Sequence, residues 1–182
     1  MVRLGAQALL FLTGAVVGTL GDQIHVQSDV LWYRHPALYG QALWVPLLFG
    51  TAGVGLVHAH RLFLRPPPGE PPRPVSLVAP GLIFAAAYLA TGIGRSQPLL
   101  VAAALAVAWG IRILLHPTAD QLTAGLAFAA GGPLFEAALS ATGAFSYRQP
   151  DVLGAPVWLP PLYLHLSLFT RQIHLVFQRQ LG

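Results

Sequence analysis

Apolar residues fill six long stretches of this chain, near residues 4–21, 38–60, 75–93, 97–115, 121–143 and 157–177, with polar residues gathered in the breaks between them. Each stretch suits a membrane-spanning helix, which needs roughly 17–25 predominantly apolar residues. The runs are continuous, whereas barrel strands would alternate in short segments. Helices also satisfy their own backbone donors and acceptors, as lipid requires. The pattern predicts an all-α membrane protein, a six-transmembrane-helix bundle forming one domain over residues 1–182. Arg3 precedes the first run as it would in a signal peptide. The run is too long for one, however, and Gly18-Thr19-Leu20-Gly21 offers no small-x-small cleavage site, so it is read as a retained span.

Charge orients the bundle. Lysine is absent and only 9 % of residues are charged, against about a quarter in soluble domains. With six spans, Arg3, Arg61, Arg65, Arg73, Arg112, Arg171 and Arg179 fall on one side, and Arg34, Arg95 and Arg148 on the other. The positive-inside rule then predicts both termini in the cytoplasm. The high isoelectric point follows from this topology, and no basic patch with interleaved aromatics suggests nucleic acid. The Ala/Leu/Gly/Pro/Arg bias points to a bacterial cell membrane, or the ER membrane in a eukaryotic host.

The breaks have their own character. Asp22 to Ala37, with His25, Asp29, Trp32, Tyr33 and His35, is expected to lie at the interface, where Trp and Tyr favour headgroup depth. Arg65 to Pro74 should form an extended, polyproline-like strap. Pro46, Pro80-Gly81, Gly131-Gly132-Pro133 and Pro160-Pro161 are expected to bend spans two, three, five and six, either for packing or to leave a cavity. Gly14 and Gly18, with Gly50, Gly53 and Gly55, suit close helix contact within the chain, and secondarily a homo-oligomer.

Candidate chemistry is sparse. Glu136 inside span five is the clearest ionisable group, and His165 in span six is expected at similar depth, close enough for a hydrogen bond. Arg112 and Arg171 are expected to snorkel to the interface, with a lipid phosphate or Asp120 as alternative partners. Asp151 suits turn formation. The seven His residues form no metal-ligand pattern, cysteine is absent, and no HExxH, GxSxG or phosphate-cradling loop occurs. No cofactor, metal or catalytic residue is assigned. No inverted repeat of the transporter kind is seen between the halves.

Several short motifs have a familiar order: Gln23-Ile24, Trp44-Val45-Pro46, Gly50-Thr51-Ala52, Gly69-Glu70-Pro71, Gly143, Tyr147, Pro150-Asp151, Trp158-Leu159-Pro160 and Arg171-Gln172. Together they resemble the Insig family of six-span regulators of sterol synthesis, over almost the whole chain. Eukaryotic members bind oxysterols between their helices and retain Scap and HMG-CoA reductase in the ER. The chain departs from them at Trp109-Gly-Ile-Arg-Ile-Leu-Leu-His116, where they place an acidic residue used for partner and sterol control. A Scap-type partner is therefore not expected. The resemblance implies a non-enzymatic bundle holding a hydrophobic ligand, either sterol-like or a glycerolipid such as diacylglycerol. Gln97 and Trp109 fall near the family's ligand-contacting positions, and Trp44, Glu136 and His165 complete the candidate ligand-binding set. The rival reading is a membrane enzyme acting on lipids or isoprenoids, with Glu136 as general acid and His165 or Asp151 assisting.

Overall fold

A computed structural model describes residues 2–64 and 70–181. Six α-helices occur among them: α1 (Val2–Gln27), α2 (Val45–Ala59), α3 (Val78–Ile93), α4 (Pro98–Leu115), α5 (Ala119–Ala141) and α6 (Leu159–Leu181). Two short strands, β1 (Leu31–Tyr33) and β2 (Phe145–Tyr147), pair antiparallel at one end of the bundle. Residues 65–69 of the proline-rich strap, and the Arg3 side chain, lie outside the described residues.

Four of the helices are long and apolar enough to cross a membrane: α1, α3 with its preceding 3-10 turn, α4 and α5. Burial runs opposite to that of a soluble protein. α4 is the most apolar of the four and the least buried, with Leu99 and Leu114 turned outward. α6 packs against each of the other five helices, and buries His165, Ser167, Thr170 and His174. A helix surrounded by protein can satisfy polar groups through its neighbours, which is why α6 lacks the hydropathy of a lipid-facing span. α2, at 15 residues, measures about 22 Å, short of a bilayer core of about 30 Å.

Some boundaries differ from those read from hydropathy. α1 continues through Asp22 and His25 to Gln27, because these polar residues face inward and find partners there. The expected interfacial segment is therefore part helix and part strand, with Tyr33 buried and Trp32 exposed. α2 starts at Val45 rather than near residue 38. Pro46 sits in its first turn, where the missing donor costs nothing, so it opens the helix instead of bending it. Pro133 does lie inside α5. Gly14 meets Gly53 as α1 and α2 pack: a Cβ on Gly14 would stand 3.0 Å from the Gly53 Cα.

The chain is an internal duplication. Tyr33-Arg34-x-Pro36, Gly40 and Trp44-x-Pro46 recur at one constant offset as Tyr147-Arg148-x-Pro150, Gly154 and Trp158-x-Pro160. The backbone repeats too. Tyr39 and Leu153 both take a left-handed φ before a left-handed Gly, and Leu38↔Gln41 matches Val152↔Ala155. Arg34 donates its N–H to the Ala144 carbonyl, as Arg148 does to that of Val30. The strand register pairs Trp32 with its own counterpart Ser146, which places a pseudo-two-fold axis through the ribbon. α1–β1–α2 and α5–β2–α6 are thus parallel copies, and α3–α4 is inserted between them.

A tyrosine-capped carboxyl pair in the candidate ligand chamber

The two copies enclose a chamber of about 430 Å³ beneath the ribbon, within the roughly 300–1,000 Å³ of small-molecule sites. A smaller apolar cavity of about 90 Å³ adjoins it, sharing Phe49 and Tyr163 in its wall. The repeat places one carboxyl from each copy on the chamber: Asp22 from α1 and its counterpart Glu136 from α5.

Each carboxyl is held by the tyrosine eleven residues after it. The Tyr33 hydroxyl donates to Asp22 Oδ2 at 2.8 Å, and Tyr147 donates to Glu136 Oε2. The second donor differs between copies. Gln41 Nε2 donates to Asp22 at 2.7 Å, while Tyr163 donates to Glu136 Oε1 at 2.7 Å. Tyr163 stands where the first copy has Phe49, so the duplicated scaffold has diverged at the positions that hold the acids. Burial, followed by the Asp22 charge, pushes the Tyr33 phenol well above its ordinary range. Burial, followed by Glu136, does the same for Tyr147. Both phenols therefore remain donors. Among the described residues the chamber lining holds two carboxyls and four tyrosines (Tyr33, Tyr88, Tyr147 and Tyr163) but no arginine.

Of the candidates read from the sequence, Trp44 and Glu136 line the chamber. Gln97 is exposed where α4 begins. Trp109 is half-buried on α4, close to Gly125 of α5. His165 lies away from the chamber, and the expected Glu136–His165 bond is not formed. Its Nε2 pairs with the Leu105 carbonyl of α4 at 3.0 Å, because its position on α6 turns it toward α4, while Tyr163 occupies the face toward α5. Arg171 takes the alternative partner named from the sequence: its Nε donates to Asp120 Oδ2 at 2.5 Å in a largely buried ion pair, rather than snorkelling freely. Asp151 accepts the Val157 N–H at 2.9 Å, a turn role. No grouping of three or more potential metal ligands occurs among the described residues. Asp22, Tyr33 and Tyr163 escaped the sequence reading. The signal for Asp22 and Tyr33 was the Tyr-Arg-x-Pro repeat, in which Asp22 is the counterpart of Glu136; Tyr163, opposite Phe49, carried none.

With an apolar exterior, a polar central helix and an internal chamber, this is a helical membrane protein built to enclose something. Comparison gives it relatives. No family model matches the chain. It is 29 % identical over 173 residues to the INSIG protein homolog of Mycolicibacterium vanbaalenii, covering 89 % of this chain and 81 % of that one. The crystal structure of the mycobacterial Insig homolog MvINS superposes with a TM-score of 0.81 at 24 % identity, covering 93 % of this chain and 92 % of that one. A cross-linked MvINS trimer superposes equally well, at 25 % identity over the same shares. The chain is thus a helical membrane protein similar in sequence and fold to bacterial Insig homologues, in agreement with the resemblance carried by its collinear motifs.

Proposed function

We propose that the protein is a non-enzymatic, lipid-receptive membrane protein. It forms one domain of six membrane helices with both termini in the cytoplasm, and holds a hydrophobic ligand in the chamber between its two repeats. The observation that carries this reading is the carboxyl pair itself. Both acids are already engaged by tyrosine or glutamine donors, an arrangement suited to receiving a polar head that donates hydrogen bonds. No arginine faces the chamber among the described residues, so a phosphate-bearing head would be buried beside two carboxyls without a cationic partner. The ligand class is then an uncharged, hydroxyl-bearing lipid, either a glycerolipid or a sterol-like molecule. Trp44 and Glu136 contact it, with Asp22, Tyr147 and Tyr163 around its head.

In a bilayer the competing state for an apolar ligand is lipid rather than water, so burying its chains contributes little. Selectivity must come from the polar end and from shape. The enzyme alternative has weak support. Glu136 has both oxygens engaged, while His165 and Asp151 are committed to the Leu105 carbonyl and the Val157 N–H. A homo-oligomer is supported by the cross-linked trimer of MvINS and by the outward-facing apolar surface of α4. The α1–α2 and α5–α6 repeats place Arg61, Arg171 and Arg179 at the end opposite the ribbon, which supports cytoplasmic termini.

Mass spectrometry of lipids retained through gentle purification tests the reading. A chemically unaltered neutral lipid, reduced in Asp22→Asn and Glu136→Gln, is the expected result. A substrate–product pair that disappears in Glu136→Gln would overturn it in favour of an enzyme.

A further inference from the structure

The pseudo-two-fold axis makes a prediction that the molecule breaks. Were the symmetry complete, the contact of α1 with α6 would be matched by one between α5 and α2. α1 packs against α6, but α2 and α5 scarcely touch. The difference traces to the inserted α3–α4 pair, which covers one side only. There, α3 brings Tyr88 against His25, with ring centroids 4.8 Å apart, and Thr91 bonds His25 Nε2 at 2.7 Å. Trp158 closes the same side at 5.1 Å from His25 and is 2 % exposed. Its counterpart Trp44 has no such cover and is only half-buried at the chamber wall.

Along the uncovered side, four residues both line the chamber and face outward: Thr51 and Gly55 on α2, and Gly131 and Phe135 on α5. Gly55 and Gly131 have open space where a Cβ would stand, unlike Gly14, Gly18 and Gly132, whose missing side chains make room for neighbouring atoms. Packing therefore does not require glycine at those two positions. They lie within membrane helices rather than at the ends, so the gap opens toward the hydrocarbon and not toward water. Glu136 lies one and a half turns further along α5 than Gly131, about 7 Å nearer the ribbon. A lipid whose head reaches the carboxyls can leave its chains in the gap.

We propose that the space between α2 and α5 is a lateral door through which a membrane lipid enters and leaves the chamber, and that Gly55 and Gly131 keep it clear. This rests on the lipid-receptive reading above and adds the route. The other side is covered by α3.

The test measures transfer of a fluorescent diacylglycerol from loaded protein in nanodiscs to acceptor vesicles. Gly55→Trp combined with Gly131→Trp should slow release at least tenfold, read as the first-order rate on the fraction of protein that carries the probe. Gly110→Trp, on α4 at a glycine with equally open surroundings, should leave the rate unchanged. The chain has no cysteine, so the door can also be closed after folding. Gly131→Cys labelled with a bulky apolar methanethiosulfonate should slow release, and a reductant should restore it. That second arm decides the matter if the double tryptophan variant does not fold. Unchanged release in the labelled protein would overturn the door while sparing the ligand reading. So would equal slowing by Gly110→Trp, or a rate set by protein concentration, which would mean that a second copy covers the gap. A wild-type protein that never takes up the probe would overturn both.

Discussion

Asp22 and Glu136 occupy one position in two copies of a repeat, and each accepts a hydrogen bond from the tyrosine at the start of the loop that follows it. The acid is thereby fixed to the ribbon, and the ribbon to both helical units. Tyr147→Phe removes one donor from Glu136 and should destabilise by about 1–3 kcal/mol, the cost of leaving a buried acceptor short of a partner. Tyr33→Phe should cost a similar amount. In a cycle with Glu136→Gln, the Tyr147→Phe effect should shrink by more than about 0.5 kcal/mol, since contacting residues do not add. Denaturant unfolding in mixed micelles reads this directly, and full additivity would mean that the pair does not interact.

His165 supplies the contrasting case. It bonds the Leu105 carbonyl and does not touch Glu136. His165→Leu and Glu136→Gln should therefore add to within about 0.5 kcal/mol in the same assay, as sites without shared partners do. A larger coupling would restore the contact that helix depth alone suggested.

The close approach of α1 and α2 ranks the glycines. A Cβ on Gly14 would meet backbone, 2.5 Å from the Phe49 carbonyl oxygen, and backbone cannot swing aside. Gly18 meets the Phe49 side chain as far in as its Cβ, at 2.5 Å, whereas Gly132 meets the ring of Tyr163. Gly14→Ala should thus be the most damaging of the three, by about 1–3 kcal/mol, while Gly132→Ala is relieved in part by a shift of the Tyr163 ring. Thermal unfolding followed by intrinsic fluorescence gives the order. Gly55→Ala, with open space around it, should leave the midpoint within about 1 °C.

Hydropathy made the helices legible because lipid-facing surfaces must be apolar whatever they enclose. It failed where polar residues face inward. Asp22 and His25 looked like a loop because a linear window cannot distinguish solvent from the Tyr33, Gln41 and Thr91 that receive them. The ribbon was hidden for a similar reason. Three-residue strands carry almost no periodic signal, and Trp32 and Tyr33 suit an interface equally well. Trp44-x-Pro46 and Trp158-x-Pro160 enter the sequence reading only as two separate motifs of the family resemblance. Aligning them with the preceding Tyr-Arg-x-Pro would have exposed the duplication, and with it Asp22. The position of His165 required knowing which face of α6 meets α4, and spacing from a helix end does not supply that. Gln97 and Trp109 came from family resemblance, and neither position lines the chamber.

The repeat also supplies its own mutational controls at the ribbon's edge. Asp29 holds a left-handed φ of 54° and pairs with Arg148 at 2.9 Å and Arg95 at 3.5 Å. Its counterpart is Gly143, with φ 76°, and there Arg34 has no carboxylate beside it. The fold has therefore already accepted glycine at this position once. Asp29→Gly should relieve backbone strain while losing two exposed ion pairs worth at most about 1 kcal/mol each, leaving a net change of less than about 1 kcal/mol. Asp29→Val keeps neither charge nor conformational freedom, because a β-branched residue is a true outlier at positive φ, and it should cost about 2 kcal/mol. Raising salt should erase part of the wild-type advantage over Asp29→Gly but none of its advantage over Asp29→Val that comes from the backbone. If the two variants prove equally unstable at high salt, the duplicated backbone is not what tolerates glycine there, and the equivalence of Asp29 with Gly143 fails.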